Sequence, residues 1–293
     1  MQGEAMKRIT LVCIIVLVLA PSYCMAQNDD SYGSDSVILE VDGHACMGDE
    51  RSRKETRLAA ITETKRKAAE MALTHIQSQT TVKNYTVSSD IVDAYAQASV
   101  TIIEELESGW FKDDFAGECY RTRLKVEVIP DKAVKKDTLM DEPDAPLTVK
   151  LWTNRKEYRI NDKIKIYLRG NKPFYARIVY EDASGNLIQL IPNPYRSDHY
   201  FNGGVTYEIP SGTDRFDLQV RPPLGAEKIL LYTSTADLGK LDLQQSGAIY
   251  VVRNSSEDLE TKTRGVAILQ KGDTPGSSVA EFSRAAVTVK TTE

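Results

Sequence analysis

The side chains able to do chemistry are few and scattered in this sequence. Its three histidines, His44, His75 and His199, stand far apart. None has a second histidine or a cysteine at the spacing of a metal-ligand pair, so a solvated or hydrogen-bonded imidazole describes each better than a metal ligand. A serine nucleophile needs a positioned base and an oxyanion site. Gly276-Ser277-Ser278 is the serine-bearing glycine segment nearest to that need, and it lacks the G-x-S-x-G elbow. Glu181 and Asp182 precede Ser184-Gly185-Asn186, but no distal acidic ligand completes a twelve-residue calcium loop. A hairpin turn accounts for them. Asn84-Tyr85-Thr86 matches a glycosylation acceptor, a motif frequent by chance. No catalytic, cofactor-binding or metal-ligating set emerges, and the chain reads as non-enzymatic.

Contact chemistry is better represented. The chain carries 14 Tyr against 2 Trp and 6 Phe, and many of the tyrosines crowd into residues 167–207. Tyrosine buries area while keeping a polar tip, which suits contact surfaces; the alternative is that these rings finish a core and its rim. "NLIQLIPNPYRSDHYFNGG" (186–204) concentrates the pattern. "NLIQLIP" reads as a strand and "NPYRSDHYFNGG" as a loop, opened by Asn193-Pro194 and closed by Gly203-Gly204. Tyr195, Arg196, His199 and Tyr200 are its candidate contact residues.

The elements that must position these residues fall into segments of different texture. Residues 1–26 read as a signal peptide: Lys7 and Arg8 precede the apolar run "ITLVCIIVLVLA", too short to span a bilayer, and the expected cut follows Ala26. Cys24 raises a lipoprotein reading that Tyr23 and Pro21 disfavour. Cleavage removes Glu4, Lys7 and Arg8, making the formal charge of −5 one unit more negative. An acidic, mixed surface argues against a nucleic-acid partner, and no second apolar run reaches membrane length. The mature chain keeps Cys46 and Cys119. In an oxidising compartment one pair most simply forms one disulfide, against the alternative of two free thiols. It would close a loop of about 73 residues, worth about 4 kcal/mol in the chain-entropy description.

Residues 27–35 are a polar leader, expected to be disordered. An α+β domain is expected over 36–130. In "SVILEVDG", Val37, Leu39 and Val41 alternate as in a half-buried strand. A long helix over about 49–79 carries Leu58, Ile61, Ala68, Ala72 and Ile76 at three- and four-residue steps, a narrow stripe suited to close contact with a sheet. Residues 80–87 read as a strand and 89–98 as a short helix. Residues 100–114 and 118–130 read as paired strands, with Tyr120, Thr122, Leu124, Val126 and Val128 on one face. The fold class here is one long helix on an antiparallel sheet, with Cys46 and Cys119 meeting at one end. Residues 131–146 are charged, carry two prolines and read as a linker. From 147 to 293 short β-rich runs recur, among them "KIKIYLRG", "FYARIVYED", "EKILLYTS", "GVAILQ" and "AAVTVKTT", separated by turn signals. That rhythm predicts an all-β sandwich or barrel.

Two resemblances add to this reading. "WTNRKEYRINDKIKIYLRGNKPFYARIVYEDASGNLIQLIPN", "GVTYEIPSG", "PPLGAEKILLYTS" and the closing "VTVKTTE" make residues 147–293 resemble the bacterial family DUF 4384. This implies an Ig-like sandwich, often appended to exported or envelope proteins, without catalytic residues. "VDGHACMGDE", "RLAAITETKRKAAEMAL" and "SGWFKDDFAGECYRTRLKVEVIP" make residues 36–130 resemble the N-terminal domain of the flagellar assembly protein T family and related flagellum-associated lipoproteins. These are envelope scaffolds rather than enzymes. The chain therefore reads as an exported adaptor or scaffold, periplasmic or outer-membrane-associated, that binds other envelope proteins; flagellar or secretion assemblies are the implied setting. It needs no cofactor, and oligomerisation is left open. The alternative is a periplasmic ligand-binding protein or hydrolase with a site between the domains.

Overall fold

Residues 35–79, 85–131, 139–247, 249–255, 259, 263 and 279–293 are described by the structure, a computed structural model. The expected signal peptide, nearly all of the leader, Gly276-Ser277-Ser278 and the expected strand at 265–270 lie outside these residues.

The first elements are β1 (Ser36–Cys46), α1 (Arg53–Gln79), α2 (Tyr85–Ala96), β2 (Ser99–Asp113) and β3 (Gly117–Ile129). β1 and β2 flank β3 in antiparallel register. Val37, Leu39 and Val41 share a face with Leu124, Val126 and Val128, and α1 lays Ala68, Ala72 and Ile76 on them.

α1 starts later than about residue 49 because Ser52 caps it. Glu55 accepts from the Ser52 amide at 2.8 Å, while Ser52 Oγ accepts from the Glu55 amide at 3.3 Å, a reciprocal capping box. Its buried stripe is also corrected. The residues facing the sheet are Thr56, Ala60, Thr64, Ala68, Ala72 and Ile76, whereas Leu58 is 55% exposed. Threonine can be buried here because its hydroxyl is satisfied within the helix: Thr56 Oγ1 donates to Ser52 O at 2.9 Å and Thr64 Oγ1 to Ala60 O at 2.8 Å. The small residues bring α1 close to β1. A Cβ on Gly43 would stand 2.1 Å from Thr64 Oγ1.

The strand expected over 80–87 is not formed at Tyr85-Thr86-Val87, which open α2; residues 80–84 lie outside the described set. Ile91, Ala94 and Tyr95 are buried at helical spacing, so burial of that face outweighs the local β-propensity of "NYTV". The later part of the expected linker is packed as well. Leu139 and Ala145 join the core under α1, and Asn171 Nδ2 donates to the carbonyls of Glu142, Ala145 and Pro146 at 2.9, 3.2 and 3.1 Å.

The remaining strands are β4 (Val149–Thr153), β5 (Glu157–Arg159), β6 (Lys163–Ile164), β7 (Ile166–Gly170), β8 (Phe174–Glu181), β9 (Leu187–Ile191), β10 (Tyr200–Phe201), β11 (Tyr207–Ile209), β12 (Leu218–Gln219), β13 (Ala226–Ser234), β14 (Leu243–Ser246), β15 (Ile249–Val252) and β16 (Ala280–Thr292). Pairing is mostly antiparallel, β16 with β5 being parallel. One sheet runs in the order β14-β15-β9-β8-β13-β16-β1-β3-β2, with β10 and β5 attached. It passes through both expected domains because β16 pairs with β13 and, through Ala280–Phe282, with β1.

Over one face of β8, β13 and β16 lies the small sheet β11-β7-β4. Ile166, Leu168 and Ile209 there meet Phe174, Ala176, Ile178, Leu231 and Val289. The opposite face carries Ile38, Val179, Tyr232 and Phe282, covered by Leu238, Val252 and Leu259. The large sheet is thus clothed by β-structure at one end and by helices at the other.

Candidate functional site

The loop singled out from sequence is built on an Asx turn. Asn193 Oδ1 accepts from the amides of Tyr195 and Arg196 at 2.8 and 2.9 Å, which turns the chain straight after β9. The four candidate contact residues then part company. Arg196 turns inward: its guanidinium stands 3.1 Å from Asp214, with side-chain exposures of 17% and 10%, and lies over the Phe201 ring. Tyr195, 52% exposed, stacks on Phe216.

His199 and Tyr200 turn towards a third place. Both rings pack on Tyr175, and His199 Nε2 lies 3.2 Å from Asp237 Oδ1. Beneath, Arg177 donates to Gly239 O at 2.7 Å; burial lowers its pKa to about 10 despite the nearby Asp237 carboxylate. The loop therefore offers one aromatic-polar corner, Tyr175-His199-Tyr200-Asp237, and a separate Tyr195-Phe216 pair. Arg196 serves as an internal staple. Asp214 and Asp237 were invisible as partners because they follow 18 and 38 residues later.

The most heavily charged buried place lies elsewhere, in the seam where the helical cover meets the β cover. Glu281 of β16 has a side chain 3% exposed. It lies 2.9 Å from Lys172 Nζ and 3.1 Å from His75 Nε2, and accepts from the Leu147 amide at 2.7 Å. Lys172 also reaches Gln79 Oε1 at 3.1 Å. Burial works to raise the Glu281 pKa; the bond to His75, the Lys172 charge and the Leu147 N–H outweigh it and hold the carboxyl below its ordinary range. The Tyr95 phenol is pushed well up, by burial first and then by Asp35, Glu281 and Glu127. Five parts of the fold meet at this point. Its hydrogen bonds and ion pairs tie these parts together as a structural knot.

Two clefts are each lined by one end of the molecule. A cup of about 310 Å³ is bounded by Asp42, His44, Lys67, Glu107, Phe111, Arg121 and Arg123 among others; its arginines are engaged by Glu107 at 3.0 Å and Glu40 at 2.9 Å. An apolar cleft of about 320 Å³ lies between β8–β9 and the β6–β12 pair. Cys46 and Cys119 face each other across β1 and β3 and form the disulfide, with Cα atoms 3.9 Å apart. Asp182 closes the expected hairpin turn by accepting from the Ser184 and Asn186 amides at 2.8 and 2.9 Å. Among the described residues no group of three or more His, Cys, Asp or Glu is arranged to hold a metal, and no helix is long and apolar enough to cross a membrane.

No curated protein and no solved structure matches the chain. Residues 157–237, running from β5 through the contact loop and β13 to Asp237, match the model of a domain of unknown function, DUF4384.

Proposed function

We propose that the chain is an exported, non-enzymatic adaptor or scaffold of the cell envelope that holds other envelope proteins through its surfaces. The observation that carries this reading is the continuous sheet: β16 is shared by both parts, so the α+β end and the β end form one stiff body with separated faces. A scaffold needs fixed spacing between contact sites, and a shared strand supplies it. Each of the two clefts described above draws on one end only, so neither of them offers a site between the parts. The finer architecture we propose for 147–293 is an Ig-like sandwich, supported by the small sheet packed over the large one around a shared core.

Export into the periplasm or to the outer membrane is supported by the disulfide, since such bonds persist in oxidising compartments, and by the leader of residues 1–26. Processing after Ala26 is preferred to lipidation at Cys24. Flagellar and secretion assemblies are the setting suggested by sequence resemblance at the N-terminal end. Fractionation followed by cross-linking mass spectrometry tests the reading. Recovery with envelope proteins cross-linked to β2, the 193–204 loop or both supports it. Residence in the cytoplasm with the leader intact overturns it.

A further inference from the structure

The hairpin joining β2 to β3 ends in an apolar knob. Asp113 Oδ1 accepts from the amides of Phe115 and Ala116 at 2.9 and 2.8 Å, so the turn is fixed and Phe115 is held 102% exposed. A phenyl ring displayed in full on a locked turn costs solubility and gains nothing inside its own chain. At the other edge of the sheet the apolar cleft is lined by Ile188, Leu190, Leu218, Val220, Ile229 and Ile249. Its volume of about 320 Å³ is ample for one aromatic side chain. β2 and β9 are six strand steps apart in the sheet, roughly 30 Å, so the knob cannot fill the cleft of its own chain.

Charge at the two places is complementary. The rim carboxylates are engaged: Asp217 with Lys163 at 2.7 Å, and Asp182 with its own turn. Among the described residues, Arg221 at the rim has only the neutral Gln219 as a side-chain partner, at 2.8 Å. Beside the knob, Asp114 has no ion-pair partner among the described residues, while neighbouring Lys112 stands across from Glu118.

We propose that Phe115 of one copy seats in the apolar cleft of a second copy, with Asp114 against Arg221, so that chains join head to tail. The two surfaces are different patches of the same chain, so the contact is heterologous and leads to rings or filaments rather than a closed two-fold pair. One buried ring contributes about 150–250 Å², well below a standard interface, so each contact is weak and assembly depends on concentration. The proposal rests on the scaffold reading by naming one partner. A chain that stays monomeric yet binds envelope proteins defeats the proposal and spares that reading.

The test measures mass against concentration, by sedimentation, for the oxidised protein as recovered from cells. The wild type is expected to grow beyond dimers as concentration rises. Phe115→Ser is expected to weaken association about tenfold to a hundredfold, and so is Ile249→Lys, at a position 40% exposed and thus tolerant in folding. Mixed together, these two variants should stop at heterodimers, because only one good knob and one good cleft remain. Asp114→Arg and Arg221→Asp should each weaken assembly, and their combination should restore it. A photo-cross-linking phenylalanine analogue at 115 should capture residues 218–223 or 249 of another copy. A monomer at every concentration, association untouched by Phe115→Ser, or cross-links to any other surface overturns the proposal.

Discussion

Removing the Glu281 carboxylate should uncouple the helical cover from the rest of the molecule. Glu281→Leu leaves the Lys172 ammonium, 11% exposed, without its counter-charge and the Leu147 N–H without its acceptor. A buried charge stripped of its partner costs about 3–5 kcal/mol, and an orphaned buried amide about 1–3 kcal/mol. These overlap, so a loss of about 4 kcal/mol is expected, a large share of a typical domain's total. Lys172→Met should cost less, about 2 kcal/mol, since the carboxylate keeps Leu147 and His75. The double variant should recover the part due to the stranded charge, because replacing both charges with apolar groups of similar size is often neutral, and keep the cost of the orphaned Leu147 amide.

Urea unfolding provides the readout, with Trp110 in β2 and Trp152 in β4 as separate probes in single-tryptophan backgrounds. The pH dependence follows from the depressed pKa of Glu281. Its contribution is present above the unfolded glutamate value of about 4.3 and disappears as pH falls through the lower folded value. The reasoning fails if Glu281→Leu costs under about 1 kcal/mol, or if the two single losses simply add, since a coupled pair must show interaction energy.

Other outcomes follow from the packing. Gly43→Ala places a methyl 2.1 Å from Thr64 Oγ1 and 3.0 Å from its Cα, so α1 must lift; a loss of about 1–3 kcal/mol is expected, and adding Thr64→Ala should rescue only part of it. Arg196→Ala should lower stability by about 2 kcal/mol, less than for a fully orphaned charge because Asp214 keeps the Ser211 amide at 2.7 Å. By contrast Tyr200→Ala, at a position 46% exposed, should cost under about 1 kcal/mol, and thermal melts separate the two. Reducing the Cys46–Cys119 bond, which spans 73 residues, should cost about 4 kcal/mol; equal urea midpoints with and without reductant would contradict this.

Local pattern was legible wherever burial followed period. Val37-Leu39-Val41, the alternation of β3 and the meeting of Cys46 with Cys119 all depend on neighbours within one layer. Thr56 and Thr64 do not show as core in the pattern because a hydroxyl counts as polar there, although the helix backbone satisfies it. The helix expected over 89–98 is present as part of α2, but its start at Tyr85-Thr86-Val87 was misread as strand, because tertiary burial of Ile91 and Tyr95 outweighed β-favouring residues. Arg196 looked like a contact side chain because nothing local shows that Asp214 folds under it. The seam around Glu281 joins residues 75, 147, 172 and 281, and such distant encounters leave no trace in spacing. Phe115 lies within "SGWFKDDFAGECYRTRLKVEVIP", but its exposure comes from the turn that Asp113 locks.

β16 has a consequence for biogenesis. It is made after both of its neighbours, yet it stands between β13 and β1, so two half-sheets must wait for residues 280–292 with bare edges turned towards each other. Contacts such as Val37 with Glu281 span nearly the whole chain and form slowly. Until they form, β1 and β13 are open templates for wrong pairing. A chain cut before Ala280 would have β1–β3 and the strands up to β15 already made and nothing to zip them together. Such fragments should aggregate rather than persist as half-proteins, which makes completion of β16 a quality checkpoint for the sheet it bridges.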